Sequence, residues 1–454
     1  MGVVSNAFAS YGFPAEAPVT YIFPTEMFLK GSDLTPVTEH FDEFIAGLLT
    51  WAPETTGLGV SPAITYTFTG NDYVDVYNQV NRYYARNMMA DGLPIVPPTR
   101  ELVDWILTGT DYAPDYVIGG DNGFMKPRGG ITTVETVAVS LAMAGGRPEY
   151  LPYLIAAVET MVNPDATTQS WNTTTNSVIP VFIANGPAVD DIRLSHTYGC
   201  MGADGLHPAG AALGRAVRFI LQDVAGATPG IGTMAIYGPM RHTNLFFAEW
   251  EDGYPEGWKT FAEERGHARS ENVVTRTTCN GWQNLTLHFG NPASNDRCLN
   301  MLAGDIKIPN PNKWNGVAKF YPGCKELNSG VAVMSSAFLN TLAKDSGYSK
   351  EDVQKYLWDR SFVSREEFES YELSQHDKIV AKMKELGYED AFPTTPSPEE
   401  IRIVCTGGSQ GGHVLWLSPV TQGVMTEGTV QLPKNWDQLI ADAEEDLGPA
   451  PTIQ

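Results

Sequence analysis

Ile401 to Cys405 reads as a strand that empties into Thr406-Gly407-Gly408-Ser409-Gln410-Gly411-Gly412-His413. Glycines at Gly407, Gly408, Gly411 and Gly412 let a backbone approach a ligand closely, and their N–H groups could form an anion nest. Cys405 at the strand end and His413 beyond the loop are the residue types that act as nucleophile and base. A tight turn between two core strands, with Cys405 merely buried, accounts for the same letters. The spacing is neither a Walker motif nor a dinucleotide fingerprint, so no nucleotide cofactor is expected.

A second candidate is the loop MKPRGG. It sets Lys126 and Arg128 beside a Gly-Gly turn, just before a helix that the Thr132/Glu135 pair marks as a capping box. A helix N-terminus with two cations is a credible pocket for a substrate carboxylate or phosphate. Two ordinary surface cations are the competing reading, and Glu135 reads as a cap rather than a catalyst.

The third candidate runs from Arg241-His242 through Glu249-Trp250-Glu251 to Arg265-Gly266-His267. His242, Glu249 and His267 offer ligands for a divalent metal, or an acid and a base, with Arg265 to hold a substrate. Their spacing matches no standard metal motif, and salt bridging of Arg265 to a glutamate explains the segment equally well. His196, Cys200 and His207 supply ligand types in a Gly-rich loop, H-x3-C-x6-H. That spacing is not a recognised one, and incidental loop residues are the better reading.

These groups need a scaffold. Tyr73 to Ala90 spaces its apolar residues at helical intervals, and Thr99 caps a helix that Gly109 stops. GLPIVPPT suits a strand at a sheet edge. VIPVFIANGP reads as a buried strand ending in a turn, and MAIYG, TNLFFAEW, NVVTRTTC and LTLHF read as further strands. Ser349 and Ser364 cap charged helices, and a last helix covers Trp436 to Leu447. Strands and helices alternate, so the expected class is α/β: mixed sheet or sheets with flanking helices, irregular loop insertions and an N-terminal arm. The divisions are an arm (1–70), an α/β body (71–345), a helical lever (346–396) and a C-terminal strand, Gly-loop and helix unit (397–454) packing on the body. In such folds strand and helix ends converge on one crevice, which would unite the Lys126, Glu249 and Cys405 groups.

The 454 residues carry 30 Lys+Arg against 53 Asp+Glu, a formal charge of -23. That balance argues against nucleic acid and against anionic membranes as partners. No secretory signal opens the chain, no apolar run reaches a bilayer's width, and five scattered cysteines form no disulfide framework. The expectation is a soluble, cytoplasmic protein. Its aromatic, Pro-rich first 70 residues cannot build a core of their own and must lie against the body or a second subunit; a homo-oligomer, a dimer, is expected with the arm in or beside the interface.

Ordered blocks extend these readings: DGLPIVPPTRELVDWILTGT, RGGITTVETVAVSLAMAGGRPEYLPYLIAAVE, VFIANGP, GRAVRFILQDVAGATPG, EWEDG with FAEERGH, and the GGSQGGH loop. Over most of residues 91 to 440 the chain resembles a group of bacterial proteins of unassigned activity. These look like partners or longer relatives of small proteins named for a selenocysteine-Gly-Ser-Cys (UGSC) motif. The resemblance implies thiol or selenol chemistry on small organic molecules. Three functions follow. The first is an enzyme of hydrolase or lyase type on a small polar organic substrate, with Glu/His acid–base groups, a Gly-rich loop and room for a divalent metal. The second is a thiol-dependent reductase component using Cys405, and the third a non-catalytic binding or scaffold protein.

Overall fold

The computed structural model describes residues 31–52, 65–202, 204–238, 245–287, 290–307, 330–370, 376–409, 412–420 and 424–450. His242, Gly411 and residues 1–30 and 53–64 of the expected arm lie outside the described residues. The fold is α/β. Seven strands form one mixed, curled sheet: β1 (Ile179–Asn185), β2 (Phe246–Ala248), β3 (Val273–Leu287), β4 (Val331–Met334), β5 (Arg402–Cys405), β6 (Gly412–Pro419) and β7 (Thr426–Thr429). Their order is β2-β1-β3-β6-β4-β5, with β7 on the first half of β3. Two pairs are parallel, β1 with β2 and β4 with β5, and the rest antiparallel.

Alternation of side chains along each strand decides what faces the inside of the curl. Val181 and Ile183 of β1, Phe247 of β2, Val331 and Val333 of β4, Val404 of β5 and Leu417 of β6 join one inner core. This core unites residues from both edges of the sheet. Hydrogen bonds close the seam: the Trp250 N–H donates to the Cys405 carbonyl (2.7 Å), and the Gly407 N–H donates to the His196 carbonyl (2.9 Å).

The outer face carries two helical layers. Phe182, Ala184 and Phe246 share a core with α1 (Arg100–Leu107), α2 (Val134–Met143), α3 (Leu151–Val162) and α4 (Ala209–Phe219). On the other flank, Met334, Ile403, Cys405 and Trp416 pack under α5 (Pro292–Lys307), α6 (Ser336–Ser346) and α7 (Lys350–Arg360). Each large apolar side chain so buried stabilises by roughly 1.5–3 kcal/mol. No helix among the described residues is long and apolar enough to cross a membrane.

Several local expectations change. GLPIVPPT forms no strand, because Pro94, Pro97 and Pro98 lack the N–H groups a ladder needs. MAIYG is likewise no strand, although Met234 and Ile236 donate to the carbonyls of Thr173 and Thr175. The cap of α2 is Thr133, accepting from the Thr136 N–H, and Glu135 instead meets Arg100 at 2.6 Å. The C-terminal strands do not lie on the body as a separate unit. They complete its sheet, with β6 between β3 and β4. Within the helical segment, Val363, Phe368, Ile379, Met383 and Phe392 make a small core of their own.

Candidate functional site

The inner face of the curl is buried along its length and opens at one end. There β4 and β5 finish, β6 begins and β3 finishes, so the next inward positions are Ser335, Thr406, His413 and Asn284. With the Tyr198–Gly202 loop they line a cleft of about 360 Å³ floored by Val333 and Leu415. Ligand sites commonly lie beyond strand ends of this kind.

Three groups here have chemical capacity. His413 is exposed on β6, and its Nδ1 lies 3.4 Å from the Asn284 side-chain oxygen on the neighbouring strand. That leaves Nε2 as the nitrogen able to take a proton. Cys200 is half-buried and free, on the loop that covers the cleft. Burial pushes its thiol up, while the Thr406 hydroxyl and the Met201 N–H pull it down. The resting group is therefore a neutral thiol that needs a base. The loop is held by contact: a methyl on Gly408 would overlap the Tyr198 ring, and Gly407 sits at φ +99°. A side chain at either position would move the cover of the cleft.

The residues singled out in the sequence divide. Gly407, Gly408 and His413 line this cleft. Gly412 begins β6 beside it, paired with Leu287. Cys405 does not line it, because strand alternation turns its side chain to the outer core, where it is fully buried. Burial and the charge of Glu249 push that thiol well above its usual range. Glu249 is buried too, at 2% exposure. Its carboxylate accepts from the Tyr254 hydroxyl, the Asn185 amide, the Phe261 N–H (2.7 Å) and the Ala262 N–H (3.4 Å). Tyr254 in turn reaches the Ile403 carbonyl (3.1 Å) and the Cys405 N–H (3.0 Å). Glu249 thus clamps the β2 edge to the β5 edge. Burial raises its carboxyl pKa, opposed by Lys350 and by the Tyr254 hydroxyl.

Arg265 and His267 share Glu427 of β7, with His267 Nε2 at 3.0 Å, and Glu271 lies 3.7 Å from His267 Nδ1. Both ring nitrogens face carboxylates, so this is an ion-pair cluster tying the segment to the sheet. Among the described residues no group of three His, Cys, Asp or Glu stands together as a metal site. Lys126 lines a different cleft, about 630 Å³, which shares no residue with the first. Arg128 lies against Gly226. The single crevice expected to unite all three groups is not formed. The larger cleft contains neither thiol nor imidazole, so chemistry favours the smaller one.

Spacing undervalues Cys200 and gives no signal for Asn284, and both line the cleft. His196 and His207 do not join Cys200 as a ligand set, because they bond Asp190 (2.8 Å) and Asp204 (3.3 Å). The signal that could have found the site is alternation: His413, Leu415 and Leu417 must share the inward face of β6. No protein-family model, curated protein or solved structure matches the chain.

Proposed function

We propose that this protein is an enzyme of hydrolase type acting on a small polar organic molecule in the cleft at the open end of the sheet. Cys200 is its nucleophile, His413 its base and Asn284 the residue that orients His413. The observation that carries this reading is a thiol, an imidazole and a carboxamide around one cleft, with the imidazole Nδ1 3.4 Å from the carboxamide oxygen.

In this scheme the Cys200 sulfur attacks an acyl carbon and its proton passes to His413. Collapse of the tetrahedral adduct breaks the bond to the leaving group, which takes the proton from His413. Water then cleaves the thioester, releases the acid and restores the thiol. The thiol chemistry implied by the resemblance to UGSC-related proteins is assigned here to Cys200. A reducing cytoplasm would keep that thiol free, and the proposed assembly is a homodimer.

The test is turnover of a panel of short esters, thioesters and amides. Cys200→Ala should lower kcat/KM at least about a thousandfold, and His413→Ala about a hundredfold or more. Turnover that survives Cys200→Ala, or none on any member of the panel, overturns the proposal.

A further inference from the structure

We infer that the substrate of this cleft is an uncharged, short-chain acyl compound, an ester or amide rather than a carboxylate- or phosphate-bearing molecule. The inference rests on the proposed role of Cys200 and adds the class of molecule that reaches it.

The first ground is charge. Among the described residues that line the cleft there is neither Lys nor Arg. Lys126, the cation beside a Gly-Gly turn, lines the other cleft. An anion taken into the cleft would lose water without meeting a Lys or Arg among these lining residues, which is costly. A chain at -23 adds a general repulsion of anions.

The second ground is the backbone. An anion nest needs N–H groups turned toward the ligand. In the loops around the cleft the Thr406 N–H donates to Met334 (3.2 Å), Gly407 to His196 (2.9 Å), Cys200 to Thr197 (3.3 Å) and Gly202 to Gly199 (2.6 Å). Those donors are spent on carbonyls within the protein. Gly408 in turn gives room for close packing of the Tyr198 ring.

The third ground is shape. Val333 and Leu415 give an apolar floor, and about 360 Å³ is near the lower end for small-molecule sites. A short alkyl or acyl tail fits that floor with its carbonyl at Cys200.

Iodoacetamide and iodoacetate test this directly, because they share a leaving group and nearly a size but differ by one charge. Alkylation of Cys200 is followed by mass spectrometry in the native full-length protein. The rate ratio of amide to acetate is compared with that of free cysteine under the same pH and salt. The expected ratio at Cys200 exceeds the free-cysteine ratio by about tenfold or more. It should persist in 0.5 M salt (chosen for a Debye length of roughly 4 Å), which screens the distant charges. A ratio equal to or below that of free cysteine overturns the neutral-substrate inference and leaves the role of Cys200 standing. Failure of both reagents to label Cys200 overturns the proposed function itself. A second variant checks the cause: Met201→Lys adds a cation to the loop over the cleft and should bring the ratio down toward that of free cysteine. An unchanged ratio in that variant overturns the electrostatic explanation.

Discussion

Cys405 and Cys200 lie near one strand end and have opposite surroundings. Around Cys405, the seam joining β2 to β5 is closed: Glu249 accepts four hydrogen bonds, Tyr254 spans to the strand, and the thiol is fully buried. Around Cys200, the open end of the same curl keeps an exposed imidazole and a half-buried thiol beside a cleft. Both regions hold residues that perform chemistry in other proteins. The difference is spare capacity: in the seam the reactive-looking groups are consumed in holding two edges together, while in the cleft they are not.

The largest expected effect separates the two thiols. Cys405→Ala should keep turnover within about threefold of the parent while costing roughly 1–2 kcal/mol of stability from the vacated volume. Cys200→Ala should do the reverse, removing activity with little loss of stability. Urea denaturation beside kinetics on both variants reads this. Next comes Glu249. Glu249→Ala leaves buried donors from Tyr254, Asn185 and Phe261 without an acceptor and should destabilise by about 3 kcal/mol or more. Glu249→Gln keeps an acceptor and should cost distinctly less. If neither variant lowers the denaturation midpoint, Glu249 is not the clamp described.

Gly408→Ala sharpens the other half of the comparison. Its methyl would overlap the Tyr198 ring, so the cover of the cleft must shift, at about 1–3 kcal/mol. The expected readout is a raised KM and a changed Cys200 alkylation rate, with the far-ultraviolet circular dichroism unchanged.

A half-buried acid elsewhere, Asp223, shows what an unsatisfied group does. Asp223 follows α4 in a π-helical turn, one of its oxygens has no hydrogen-bond partner, and burial pushes it up to about 7. With its folded pKa raised, its contribution to stability is full below its ordinary value of 3.8 and is lost as pH rises through about 7. Asp223→Asn should therefore raise the melting temperature at pH 8, by about 1–2 kcal/mol equivalent, and change it little at pH 4. An equal shift at both pH values would contradict the assignment.

Local signals survived into the structure where the chain's own chemistry decides the outcome. Thr99 and Ser349 cap their helices as read, and Ile179–Asn185 forms the strand that its unbroken apolar run implied. Cys405 was misjudged for a non-local reason. Which face of β5 is inward depends on a curl that joins strands more than 150 residues apart, and no short spacing encodes that pairing. Short spacing undervalues Cys200 because the cleft it lines is shared with Asn284 and His413 on two other elements, not with the histidines near it in sequence. The glycines ahead of His413 draw attention to it in the sequence, and in the structure one of them, Gly408, packs on Tyr198.

The central claim is that Cys200 carries the chemistry with His413 as its base. The most direct measurement is trapping of the covalent intermediate. The protein is mixed with a short activated ester, quenched in acid within the first turnover and mapped by mass spectrometry. The expected result is one acyl group on Cys200, none on Cys405, and formation slowed about a hundredfold or more in His413→Ala. An acyl group found elsewhere, or formed on Cys200 at the same rate without His413, would contradict it.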